Sequence, residues 1–188
     1  MITDGIKFSN FKTRKKSQKI KNQLKVLLKN NNQIIKSLKS NYKDSFSLKK
    51  LRKLKKLKNF RLIGMGGSAL GTEAIYFFLK DKIKKNFLFI NDLDVKIKNN
   101  KKTKFLNLII SKSGETIETI TNSNILINKF DKNLFITENN ENYLFKLAEK
   151  LKAEVVQHNN FIGGRYSVLS ETGMLPAELM GLNSKKFR

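Results

Sequence analysis

From residue 60 onward the chain alternates short apolar runs with stretches of helical periodicity, and no other feature constrains its fold as tightly. Residues 60–64 (FRLIG), 87–90 (FLFI), 105–110 (FLNLII), 134–137 (LFIT) and 154–156 (EVV) read as five strands. The segments 69–80, 116–130 and 142–152 between them read as helices, the first with an apolar face of Ala74, Ile75, Phe78 and Leu79. Strand followed by helix, repeated, implies a parallel sheet covered on both faces, with ligands at the carboxyl ends of its strands. The Lys-rich stretch 92–104 is less regular and predicts no definite element.

Composition narrows the rest. At 188 residues the chain suits one compact domain, or one with a short appendage. It has no Cys, which excludes disulfides, thiolate metal sites and a cysteine nucleophile. A single His excludes a His-ligated metal cluster and an ordinary Ser-His-Asp triad within the chain. No run approaches the length of a membrane span and the first residues lack a signal-peptide core, so the expectation is a cytoplasmic protein without a membrane.

The net charge of +24 points at first to nucleic acid. Only five of the 39 cations are Arg, and Asn occurs 22 times, a pattern that reads as compositional drift rather than nucleic-acid readout. Residues 1–60 hold 19 of the cations against two acids. There, apolar residues at 20, 24, 27 and 28 and again at 34, 35 and 38 predict two amphipathic helices broken near Asn30 to Asn32. Ser45 is a candidate N-cap for a third helix, with an apolar stripe of Leu48, Leu51, Leu54 and Leu57. Its lysines read as a solvated outer face, and no aromatic residues interleave them as single-strand binding would require.

Three loops carry the chemistry. After the first strand, Gly66-Gly67-Ser68-Ala69-Leu70-Gly71 opens a helix, so that backbone N–H groups and the positive helix end face an anion. It lacks the Lys of a nucleotide phosphate loop and the spacing of a dinucleotide fingerprint. After the third strand, Ser111-Lys112-Ser113-Gly114-Glu115-Thr116 is dense in hydroxyls; helix capping by Ser113 or Thr116 is the plain alternative. Beyond the last strand, Gly163-Gly164-Arg165-Tyr166-Ser167 presents the only Arg between Arg61 and Arg188. Where Lys serves for every ordinary cation, that guanidinium reads as a group with planar work to do.

In order and spacing, GGSALG, SKSG with Glu118 and Thr119 beyond it, and GGRYSVLSETGMLPAELMG resemble the motifs of the glucose-6-phosphate isomerases; the first two also resemble sugar isomerase (SIS) domains at large. The resemblance covers about residues 45 to 182. It implies an α/β three-layer sandwich with a five-stranded parallel sheet, SIS-like and flavodoxin-like, over residues 45–188, preceded by a basic helical segment at 1–44. It also implies reversible aldose-ketose isomerisation of glucose 6-phosphate and fructose 6-phosphate through a cis-enediolate, without a metal or other cofactor. Gly66, Gly67, Ser68 and Gly164 would meet the sugar or its phosphate, and Ser111, Lys112, Ser113 and Thr116 would cradle the phosphate. Arg165 would steady the enediolate, and Glu118 would orient its neighbours. Glu115 departs from the Thr often found there and would have to point outward.

Family members carry a second SIS domain with a Glu base, a ring-opening His and a Lys. Neither His158 nor Glu171 is placed to replace these, so the expectation is an N-terminal half that works as a homodimer or with a complementary C-terminal half. A stand-alone phosphosugar-binding regulatory module and, further off, a nucleic-acid binder through the basic N-terminus are the alternatives.

Overall fold

A computed structural model of the chain describes residues 17–30, 32–93, 104–138 and 141–188; the expectations for the first 16 residues and for most of 92–104 fall outside these. Helices α1 (Gln18–Lys29), α2 (Gln33–Ser37) and α3 (Leu48–Leu54) lead into β1 (Asn59–Gly64), α4 (Leu70–Phe78), β2 (Asn86–Ile90) and β3 (Leu106–Ile110). Then come α5 (Ile117–Leu126), β4 (Lys132–Thr137), α6 (Tyr143–Lys150), β5 (Glu154–Gln157) and α7 (Glu171–Leu179). The five strands form one parallel sheet in the order β2-β1-β3-β4-β5. This is the doubly wound order in which β1 and β3 flank the point where connections diverge to opposite faces.

The strand sequences explain the layers. Central β3 is buried at every position, as a strand covered on both faces must be, while edge strands β2 and β5 mix buried, half-buried and exposed positions. Phe60, Leu62, Leu108 and Ile136 point to one face and pack with Leu51 of α3, Tyr76 of α4, and Leu175 and Leu179 of α7. Ile63, Ile109 and Phe135 point to the other, against Leu126 of α5 and Leu144 and Ala148 of α6. A three-layer sandwich results.

Two local expectations need correction. Ser47, not Ser45, precedes α3 at the N-cap; the Ser45 hydroxyl instead donates to the Gln157 carbonyl, and its backbone N–H donates to Glu171. The inward face of α4 is Thr72, Ile75, Tyr76 and Leu79, leaving Ala74 and Phe78 exposed. That rotation follows from contacts that hydropathy does not report: Gly71 lies against Val168, and Thr72 hydrogen-bonds a carbonyl of α7. Helix α1 buries none of its residues.

Candidate functional site

Register sets the site. Gly64 pairs with Ile110, so the loops leaving β1 and β3 start side by side before departing to opposite faces of the sheet. Residues Gly66–Ser68 form a 3-10 turn, entered through a left-handed Gly66 (φ +54°), and lead directly into α4. No side chain caps α4, so the first N–H groups of that helix lack a capping acceptor.

In the second loop, the hydroxyls of Ser111 and Thr116 hydrogen-bond each other at 2.9 Å. The Gly114 N–H donates to Ser111 Oγ (3.2 Å), and the Glu115 N–H donates to Ser113 Oγ (3.3 Å). Thr116 occupies the N-cap position of α5 but makes no capping bond, and Ser113 bonds within the loop. Capping therefore does not account for these hydroxyls. Glu115 and Ser113 are exposed, and Thr116 and Glu118 are half-buried. Lys112 Nζ lies 3.3 Å from Glu138 Oε1, so its ammonium is already engaged. Gly114 is left-handed (φ +69°), and a Cβ there would fall 1.9 Å from Asn142 Oδ1.

The third loop returns from the far edge of the sheet to the first. After β5 the His158 N–H donates to the Thr137 carbonyl (2.7 Å), and the chain runs into a 3-10 segment, Gly164–Leu169, that lies on the β1 turn. A Cβ added to Gly67 would sit 2.2 Å from the Gly164 carbonyl oxygen. Ser167 Oγ bridges the carbonyls of Gly67 (3.2 Å) and Gly164 (2.7 Å). Arg165, next after Gly164, is exposed, and among the described residues its guanidinium has no hydrogen-bond or ion-pair partner.

The structure brings Gly66, Gly67 and Ser68 together with Gly164 and Arg165, and sets Ser111 to Thr116 on the neighbouring strand end. It gives parts to Asn142 and to two motif residues, Ser167 and Thr119, to which the motifs alone assign no role. Ser167 and Asn142 bracket the loops, and the Thr119 hydroxyl in the first turn of α5 is buried without a partner among the described residues. Thr119 lies one helical turn beyond Thr116, a spacing that puts both on the same side of α5. Among the described residues no three His, Asp or Glu side chains gather as a metal-holding group, and no helix is long and apolar enough to cross a membrane.

A doubly wound sheet with a glycine turn, a hydroxyl loop and a returning Arg loop at its switch point is the architecture of a sugar isomerase domain. The family model described as phosphoglucose isomerase matches residues 10–186. The chain belongs to the phosphoglucose isomerase family. It is 33% identical over 152 residues to a glucose-6-phosphate isomerase of Methanocaldococcus jannaschii, covering 74% of this chain and 37% of that one. The match to the Campylobacter jejuni enzyme of the same name is 32% over 154 residues, 74% of this chain and 38% of the relative. The chain thus spans well under half the length of these relatives. Among solved structures, a hypothetical protein from Thermus thermophilus superposes with a TM-score of 0.69 at 21% identity, over 89% of this chain and 44% of that one. Tagatose-6-phosphate ketose/aldose isomerase from Escherichia coli gives 0.54 at 18%, over 90% and 43%. Both likenesses show the fold.

Proposed function

We propose that this chain carries the phosphate anchor and the enediolate-stabilising Arg of a glucose-6-phosphate isomerase, which interconverts glucose 6-phosphate and fructose 6-phosphate. The observation that carries the reading is Arg165: a guanidinium without a partner among the described residues, held on a loop clamped to the glycine turn, beside a hydroxyl loop not consumed by capping.

Aldose-ketose interconversion removes a proton from the carbon next to a carbonyl and returns it to the neighbouring carbon. The hydroxyls of Ser111, Ser113 and Thr116 and the free N–H groups at the start of α5 hold the phosphate, and Lys112 adds a nearby positive charge. Gly66, Gly67, Ser68 and Gly164 line the approach to the sugar, and Glu118 orients its neighbours. Anchoring the remote phosphate fixes the reacting carbons, so binding energy lowers the barrier. Arg165 meets the negative charge that grows on the enediolate oxygens. The base that moves the proton is none of these residues, and the reading places it outside this chain.

Titration with fructose 6-phosphate and with a hydroxamate phosphate resembling the enediolate tests the assignment. Ser113→Ala should weaken both ligands. Arg165→Ala should keep fructose 6-phosphate while losing about 100-fold in hydroxamate affinity, the scale of one preorganised donor. A coupled assay of the chain alone should show no turnover. A wild-type chain that binds neither ligand would sink the reading.

A further inference from the structure

We propose that Glu171 is a positioning residue for Arg165: its buried carboxylate locks the foot of the Arg165 loop to the segment 42–45, and this lock governs affinity for the reacting end of the ligand rather than for its phosphate. The inference rests on the functional reading above, which does not use Glu171.

Glu171 opens α7, one residue after the 3-10 segment that carries Arg165 and its C-cap Ser170. Its side chain is buried, with 1% of the residue exposed, and among the described residues no Lys or Arg pairs with it. Removing a carboxylate from water without a cation is costly, so its neutral partners matter. Oε1 accepts from the Tyr42 hydroxyl (3.1 Å) and from the Ser45 N–H (3.0 Å), and the positive end of α7 favours the charge. Burial and the adjacent carboxylate push the Tyr42 phenol far above its ordinary range, which keeps it a proton donor.

A second tie runs parallel. Asp44 takes both terminal nitrogens of Arg188 (3.0 and 2.5 Å), and Arg188 in turn donates to the Leu169 carbonyl (2.6 and 3.0 Å). Leu169 and Glu171 flank Ser170, so the segment 42–45 grips the foot of the loop from both sides. From that foot the fixation passes inward. Ser170 Oγ and Thr172 Oγ1 both donate to the Ser167 carbonyl (2.7 Å each), and Ser167 Oγ bonds the carbonyls of Gly164 and Gly67 beside Arg165.

The His158 imidazole is fully buried, and the charges that act on it are those of Glu171, of Lys112 in the hydroxyl loop and of Glu138, which pairs with Lys112. Its Nδ1 faces the Asn159 carbonyl at 3.0 Å, which leaves Nε2 a lone-pair acceptor. Both Nε2 and Glu171 Oε2 are buried without a partner among the described residues. Among the described residues the hydrogen bonds of Glu171 run to Tyr42 and Ser45, and none runs to the hydroxyl loop.

The test compares inorganic phosphate with the hydroxamate phosphate in the wild-type chain and in Glu171→Ala, Glu171→Gln and Tyr42→Phe, with thermal unfolding of each. Glu171→Ala should weaken the hydroxamate about tenfold or more while inorganic phosphate stays within about twofold, because a small displacement of a reacting group is costly and the anchor is separate. Glu171→Gln keeps an acceptor oxygen and should restore most of the loss; Tyr42→Phe should fall between. Unchanged hydroxamate affinity in folded Glu171→Ala overturns the lock, as do equal losses for both ligands. Should Glu171→Ala not fold, the same criteria apply to Tyr42→Phe. A wild-type chain that binds neither ligand overturns the functional reading and the lock together, whereas a wild type that binds both, with indifferent variants, overturns the lock alone.

Discussion

Gly67 and Gly163 belong to two glycine pairs that look alike in the sequence, yet only one of the two positions needs its glycine. At Gly67 a Cβ would fall 2.2 Å from the Gly164 carbonyl oxygen, a backbone atom that no rotamer change can move aside. At Gly163 the nearest atom is a Tyr166 ring carbon at 3.8 Å, and the backbone (φ −66°, ψ 152°) suits any residue. Gly67→Ala should therefore cost about 1–3 kcal/mol of stability as an overpacked contact and push the Arg165 loop away from the turn, weakening hydroxamate binding. Gly163→Ala should be neutral or stabilise by up to about 1 kcal/mol. Urea unfolding of the two variants decides the point, and equal losses would show that the clamp is not where the geometry puts it. Paired glycines in the sequence announce a close approach; that the approach is of one loop to another became visible only with both in place.

Pro176 poses the corresponding problem for an element. It sits inside α7 and has no N–H to offer the Thr172 carbonyl one turn earlier, and this helix is buried along its whole length. The carbonyl is met instead by the Thr72 hydroxyl of α4 at 3.0 Å. Thr72→Val keeps the shape and removes the donor, which should cost about 1–3 kcal/mol for a buried unsatisfied carbonyl. In Pro176→Ala the helix regains its own donor, so the same Thr72→Val change should then cost measurably less; a cycle with no coupling would contradict the arrangement. Elements of this kind mark the boundary of what the sequence discloses. Strands covered on both faces read as unbroken apolar runs, so all five were legible to within two residues at each end. The inward face of α4 was not, because a Thr with a distant carbonyl partner and a Gly packed on Val168 determine it. Ser45 failed as a cap for the same reason: its partners, Gln157 and Glu171, lie more than a hundred positions away.

At the scale of the whole molecule, two buried groups make folding sensitive to acid in separate windows. Burial lowers the pKa of His158 below its ordinary 6.5, against the opposing pull of the Asn159 carbonyl and Glu171. The unfolded chain then binds this proton more readily than the folded one, so stability is complete above about pH 6.5 and falls as pH drops toward the folded value. Glu178 acts lower on the scale. Burial pushes its carboxyl up, but the Lys55 ammonium and the Ser184 donors outweigh that and hold it below its ordinary 4.5. Its contribution is complete above that value and is lost as pH falls through the folded one. Each proton limits the slope to about 1.4 kcal/mol per pH unit. Acid also raises the charge of a chain that already carries +24, and self-repulsion would bend the curve the same way. Salt separates the causes, since repulsion between exposed charges is screened and the desolvation of a buried imidazole is not. Urea midpoints followed from about pH 8 to about pH 2.5 at high salt should therefore keep the first step in the wild type and lose it in His158→Gln, while Glu178→Gln removes only the second. A wild-type curve flat between about pH 7 and pH 5, or a His158→Gln curve identical to it, would mean that the imidazole is reached by water and is not the buried group the fold makes it.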